Sequence, residues 1–189
     1  MDCTVFVDAS FCPNTGASGW GVGIMSKHLQ SAYLRGGYFT KFKPTNVVQA
    51  ELFALVNGIS VANSLDIYKE KAMVQSDCMA ILALLPLGDF NCRESAAKNG
   101  MKVHPKYYQD SIPEYAKLPL LLLKSMVEDK ELIYRHVKAH VRINSFKKRR
   151  SGGHGRFWVN TECDRIAKIY MRKERKTLLD QGLETAIGG

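Results

Sequence analysis

Cys3-Thr4-Val5-Phe6-Val7-Asp8 is the stretch on which the fold turns. Apolar residues occupy both parities of this run, which predicts a strand covered on both faces, the pattern of a central strand in an α/β sheet. The run ends on an acid. A carboxylate at the end of a buried strand is costly unless it is paired or bound to a metal. Asp8 is therefore read as a functional residue.

Outward from this strand, Asn14-Thr15-Gly16-Ala17-Ser18-Gly19 is turn-rich. Trp20 to Met25 and Ala32 to Phe39 read as two more strands, and the short connections favour an antiparallel meander. Thr45-Asn46 is a helix start, followed by Leu52, Leu55, Val56 and Ile59 at helical spacing, with Gly58 weakening that helix. Residues 71–76 form the fourth strand. Asp77 follows it and is placed to cap a helix over Met79 to Leu85. A helix over 114–128, a fifth strand over Leu132 to Lys138 and a last helix over Asn160 to Leu179 complete the order. Ile166, Ile169 and Tyr170 are the expected buried stripe of that last helix. The fold class is α/β: a mixed five-stranded sheet, three antiparallel strands and then parallel strands, flanked by helices. In one packing that the crossovers allow, strands one and four are neighbours, and Asp8 and Asp77 sit side by side at their carboxyl ends.

The 189 residues fit a single domain, 1–189, and 46% apolar content excludes a disordered chain. Three parts stand apart. Residues 86–112 are punctuated by Pro and Gly and carry Arg93, Lys98, Lys102 and Lys106, and are expected to protrude as a basic insertion. Residues 141–159 form a basic loop with Lys147-Lys148-Arg149-Arg150 and His154. Residues 173–189 are a C-terminal extension. The net charge of +9 suits an anionic partner, nucleic acid or an acidic membrane surface, or only aids solubility. Five cysteines with no CxxC pair argue against a zinc site or a disulfide framework and for a reducing compartment. There is no signal-peptide pattern and no apolar run of membrane-spanning length. The expected location is cytoplasmic or intracellular, away from membranes, and the expected state a monomer.

Glu51 near the start of the first helix and Asp164 on the last complete a set of four acids with Asp8 and Asp77. Each has an ordinary reading: Glu51 as a first-turn acid that suits the helix dipole, Asp77 as an N-cap, Asp164 as part of a helix start. Together, two acids ending strands and two on helices are what a hard divalent cation requires, Mg²⁺ or Mn²⁺. A pair of ions about 3.5–4 Å apart can activate water against a phosphodiester. Asp2, Asp66 and Asp89 lack such contexts and are read as surface acids.

These contexts resemble the ribonuclease H family. Val5-Phe6-Val7-Asp8-Ala9-Ser10 through Asn14-Thr15-Gly16 to Gly19-Trp20-Gly21 is similar to that family's opening strand, turn and second strand. Gln49-Ala50-Glu51-Leu52 and Gln75-Ser76-Asp77 resemble the segments carrying its second and third acids. Val137-Lys138-Ala139-His140 and Asn160-Thr161-Glu162-Cys163-Asp164-Arg165-Ile166-Ala167 resemble its histidine loop and final acid-bearing helix. The resemblance implies hydrolysis of the RNA strand of RNA–DNA hybrids with two Mg²⁺ ions, Mn²⁺ being an alternative. Asp8 would bridge both ions, Glu51 and Asp77 would hold one, and Asp164 the other. His140 would aid proton transfer or product release, with His154 as the alternative histidine. Asn14 and Gln49 would approach the minor groove, with Ser10 also on the substrate side, and Lys147, Lys148, Arg149 and Arg150 would contact phosphate. The insertion at 86–112 resembles the substrate-binding handle of some members. Ala9 and Ala139 stand where the family usually has glycine, and the interval from His140 to Asp164 is longer than usual and basic. The rival readings are a DNA nuclease or junction resolvase of the same fold, and a non-catalytic nucleic-acid-binding adaptor.

Overall fold

The computed structural model describes residues 1–88, 90, 110–127, 130–137 and 154–182, the side chains of Leu82, His154 and Arg156 excepted. Five strands, β1 (Cys3–Phe11), β2 (Ser18–Ser26), β3 (Tyr33–Gly37), β4 (Lys71–Ser76) and β5 (Glu131–His136), form one sheet in the order β3-β2-β1-β4-β5. β1 pairs antiparallel with β2 and β2 with β3, whereas β1–β4 and β4–β5 are parallel. The sheet is thus mixed as expected, with β1 at its centre and β4 beside it.

The helices are α1 (Val47–Ser64), α2 (Met79–Leu84), α3 (Glu114–Val127) and α4 (His154–Asp180), with a 3₁₀ turn at Pro86–Gly88. Val5 and Val7 face the larger core, which holds Leu52, Leu55 and Ile59 of α1 and Leu120 and Leu123 of α3. Phe6 faces the other way and packs with Val159 and Cys163 of α4. β1 is therefore covered on both sides, which is why both parities of its sequence are apolar. α1 starts where Asn46 accepts a hydrogen bond from the Gln49 amide at 2.9 Å. Gly58 has a packing reason: a Cβ there would lie 2.7 Å from a Val7 methyl and 2.9 Å from one of Val5, so its absence lets α1 lie close to β1.

The other face uses glycine more heavily. Gly19, Gly21 and Gly23 alternate along β2, and a Cβ on each would meet Ala167 O at 2.4 Å, Cys163 O at 2.1 Å and a Val159 methyl at 2.2 Å. Three bare positions on one strand face form a track on which the Val159, Cys163 and Ala167 stripe of α4 lies. The buried stripe is this one, all three residues at 1% exposure or less. Ile166, Ile169 and Tyr170, expected there, are half-buried at its margin.

One further expectation changes. α4 begins at His154, so 154–159 belong to a helix and not to the basic loop. The favourable docking of its apolar stripe outweighs the modest helix propensity of Gly155. At its other end α4 continues into 173–189 and runs to Asp180, one residue past the expected Leu179. Asp2, read as a surface acid, lies at the surface and also ties two strand starts together: one carboxylate oxygen accepts from the amides of Lys69, Glu70 and Lys71 at 3.2, 2.8 and 2.8 Å. Most of the insertion at 86–112, namely 89 and 91–109, lies outside the described residues, as do 138–153 and 183–189. Among the described residues no helix is long and apolar enough to cross a membrane, and Cys3, Cys12, Cys78 and Cys163 are free thiols.

Candidate active site

Asp8 leaves β1 three residues before its end, Asp77 follows the last residue of β4, and Glu51 stands in the first turns of α1. One oxygen from each can be chosen so that all three lie within 4.8 Å of one another. Asp8 and Glu51 are buried and Asp77 is half-buried. Asp77 does not cap α2: the N-cap residue is Cys78, which makes no side-chain cap bond. The Asp77 carboxylate converges on the other two acids instead.

Three carboxylates this close repel one another. Burial first, then the charges of Asp77 and Asp164, push the Asp8 carboxyl well above its usual range, with Lys168 and the Ala9 amide opposing. Burial and the charges of Asp8 and Asp77 do the same to Glu51. Burial, with the charge of Glu51 behind it, raises the Cys78 thiol to about 12, so it is a packed thiol and not a nucleophile. Oε2 of Glu51 is buried without a hydrogen-bond partner among the described residues. Such an atom asks for a ligand, and the donor set is hard oxygen. These residues fit a divalent cation of the Mg²⁺ or Mn²⁺ type.

Asp164 stands apart from the three-acid group. It lies inside α4, not at its start, and pairs with Lys168 at 2.7 Å one turn on. Its charge nonetheless acts on both Asp8 and Glu51, which places it on the rim of the same cluster. The glycine track explains the approach: Gly21 is the register partner of Asp8, and its missing side chain lets the Cys163–Asp164 segment lie beside it.

Ser10 shares the Asp8 face of β1, two residues on, and is half-buried. Asn14 is exposed in the β1–β2 turn, which is closed by Cys12 N to Ala17 O at 2.8 Å and by Gly16 at φ 69°. Gln49 has structural duties on both ends of its amide. Its Oε1 accepts from the Thr45 amide at 2.7 Å and its Nε2 donates to Tyr115 O at 2.8 Å, joining α1 to α3. His140 and Lys147, Lys148, Arg149 and Arg150 lie outside the described residues, as does the side chain of His154.

Two neighbours of the site are not evident from the sequence reading. Nε2 of His136 donates to the Asp77 carbonyl across 2.9 Å, steadying the turn that carries this acid, and its Nδ1 is buried without a partner among the described residues. Lys168 partners Asp164. The four-residue spacing of Asp164 and Lys168 is a usable signal. His136 has none, because its partner is a backbone carbonyl.

The raised carboxyls make a signed prediction. An acid whose folded pKa exceeds its unfolded one stabilises the fold below the unfolded value, about 4 for Glu. That stability is lost as pH rises toward the folded value. Glu51→Gln is expected to stabilise the metal-free protein at pH 7 by about 1–3 kcal/mol and to change little below about pH 4. Urea unfolding in chelator at both pH values measures this; an equal effect at the two would contradict it.

A scan against protein-family models finds no match, and a search of curated proteins finds none either. Solved structures do match. The N-terminal RNase H domain of a Mycobacterium tuberculosis protein, solved as a fusion with maltose-binding protein, superposes with a TM-score of 0.57 at 15% identity, covering 93% of this chain and 96% of that one. RNase H1 from the halophilic archaeon Halobacterium salinarum NRC-1 gives 0.55 at 12%, covering 90% and 98%. LC11-RNase H1, solved in complex with RNA/DNA hybrid, gives 0.53 at 12%, covering 90% and 97%. The chain has a ribonuclease H-like fold, the class its strand order and helices define.

Proposed function

We propose that this chain is a metal-dependent endoribonuclease that hydrolyses the RNA strand of RNA–DNA hybrids. The convergence of Asp8, Glu51 and Asp77 at the carboxyl ends of β1 and β4, with a buried Glu51 oxygen lacking a partner among the described residues, carries the reading. A solved structure of the same fold that is complexed with RNA/DNA hybrid supports the choice of substrate. Asp8, Glu51 and Asp77 would hold one cation, and Asp8 with Asp164 a second. When bound, such ions neutralise the carboxylates, activate water and stabilise the leaving oxygen of the phosphodiester.

The protein's own groups have separable tasks. Asp8, central to the four, raises the Glu51 carboxyl and is itself raised by Asp77 and Asp164. Lys168 holds Asp164 and eases the charge on Asp8. His136 orients the backbone of Asp77. Ser10 and Asn14 face substrate from β1 and its turn, Gln49 positions α1, and His140 or His154 moves a proton. The cations Lys147, Lys148, Arg149 and Arg150, and the insertion at 86–112, contact phosphate, all within a single domain, 1–189, acting as a monomer.

The test is one gel. RNA labelled at its 5′ end is annealed to DNA or to RNA and incubated with Mg²⁺, with Mn²⁺ or with chelator. Cleavage of the hybrid alone, lost in chelator, is expected. Cutting of duplex DNA in the same gel would favour the DNA-nuclease reading, and no cutting with no metal uptake by calorimetry the adaptor.

A further inference from the structure

α4 outruns the sheet. Gly19 faces Ala167 and Met171, and the Ser18 amide donates to Glu174 Oε2 at 2.6 Å. Ser18 is the register partner of Phe11, the last residue of β1, so α4 from Arg172 onward passes the carboxyl end of that strand. This is the edge on which Asp8 and Asp77 lie. The passage is anchored, since Glu174 also pairs with Lys43 and the Tyr170 ring packs edge-on against Tyr38 with centroids 5.0 Å apart.

Arg172, Arg175 and Lys176 are presented there, all three exposed, whereas Lys173 lies on the β3 flank of the helix in a groove with Arg35, Gly36 and Ile166. Earlier cations of α4 have carboxylate partners, Arg165 with Glu162 and Lys168 with Asp164. Arg172, Arg175 and Lys176 have none among the described residues; Lys173 lies over the Tyr170 ring on the β3 flank, 5.9 Å from its centroid. At 100° per residue, Lys168, Arg172 and Lys176 make one row, with Arg175 on its flank. The row starts beside the acids, where the charge of Lys168 acts on Asp8, and ends beside the β1–β2 turn, where that of Arg175 acts on Cys12. From Lys168 to Lys176 it spans about 12 Å, about the axial rise of three or four base pairs of a duplex at roughly 3.4 Å each.

We infer that the cations Arg172, Arg175 and Lys176 form a second phosphate-binding surface, which tracks the backbone of a duplex leaving the acid pocket past the β1–β2 turn. The inference rests on the proposed nuclease reading for the location of the pocket. It does not require that the duplex be a hybrid. Docking by Glu174 and Tyr170 holds the helix backbone in place before substrate arrives, so the ordering entropy lost on binding is that of the side chains alone.

The test compares Arg172→Gln/Lys176→Gln with a control of equal charge loss at the opposite sheet edge, Lys27→Gln/Lys69→Gln. None of the four side chains is buried, and glutamine keeps helix propensity. Binding to labelled hybrid and to duplex DNA, each of about 20 base pairs or about 70 Å, is followed by anisotropy in chelator from low to moderate salt. The slope of log K against log salt is expected to fall by about 2 in the helix variant, about 0.9 for each phosphate no longer neutralised, and to hold in the control. An unchanged slope in the helix variant, an equal change in the control, or no binding by the wild-type protein overturns the inference. A slope difference with no hybrid cleavage leaves the surface standing and removes the hybrid-nuclease reading; hybrid cleavage with no slope difference does the reverse.

Discussion

Asp8→Asn is expected to lower hybrid cleavage by on the order of a thousandfold or more, while hybrid binding in chelator stays within a few-fold of wild type. The substitution keeps the shape of the side chain and removes the charge at the centre of the cluster: Asp8 raises the carboxyl of Glu51 and is itself raised by Asp77 and Asp164. Losing it should also relieve repulsion, so the variant should unfold at a higher temperature than wild type without metal and gain less from added Mg²⁺. Single-turnover cleavage, anisotropy and thermal unfolding with and without Mg²⁺ read the three effects separately. Activity within tenfold of wild type would remove Asp8 from the centre of the chemistry.

Gly21→Ala is the second large effect, and it acts through the backbone. The new methyl would stand 2.1 Å from the Cys163 carbonyl oxygen and 2.8 Å from its carbon. Both belong to the α4 main chain, which cannot turn aside as a side chain can. The helix must lift from the sheet, at a cost of about 3 kcal/mol or more, or a fall in Tm on the order of 10 °C for a domain of this size. Gly23→Ala meets a Val159 methyl and the Cys163 sulfur instead, and should cost less. Because Gly21 lies opposite Asp8, lifting α4 there also carries Asp164 away from the cluster. The Gly21 variant is therefore expected to lose more activity than Gly23→Ala even where both are folded. Equal unfolding temperatures for the two would contradict the geometry.

The central strand and the acids are legible in the sequence because their signals are local. Apolar residues on both parities announce a doubly covered strand, and an acid ending such a strand is conspicuous. The fourth strand is readable to the residue, Lys71–Ser76, because an apolar run ends at a polar Ser-Asp pair. What cannot be read depends on packing between distant segments. Ser151-Gly152-Gly153 resembles a loop whether or not a helix follows it. Only the stripe at Val159, Cys163 and Ala167, docked on β2, shows that the helix begins at His154. Gly19, Gly21 and Gly23 read simply as part of a strand, although their alternation signals a face that something approaches closely. A capping role for Asp77 is the natural local expectation, and proximity to Asp8 and Glu51 overrides it.

The glycine track has a consequence for how the chain can change length. A strand alternates faces every residue, so one residue inserted between Gly19 and Gly23 would turn Trp20 or Val22 toward α4 and aim glycines at α1. Deletions there would do the same. Growth and shortening should therefore be confined to connections such as 27–32 and 38–46, and the spacing Gly-x-Gly-x-Gly should behave as a fixed ruler between the helix and the pocket it serves.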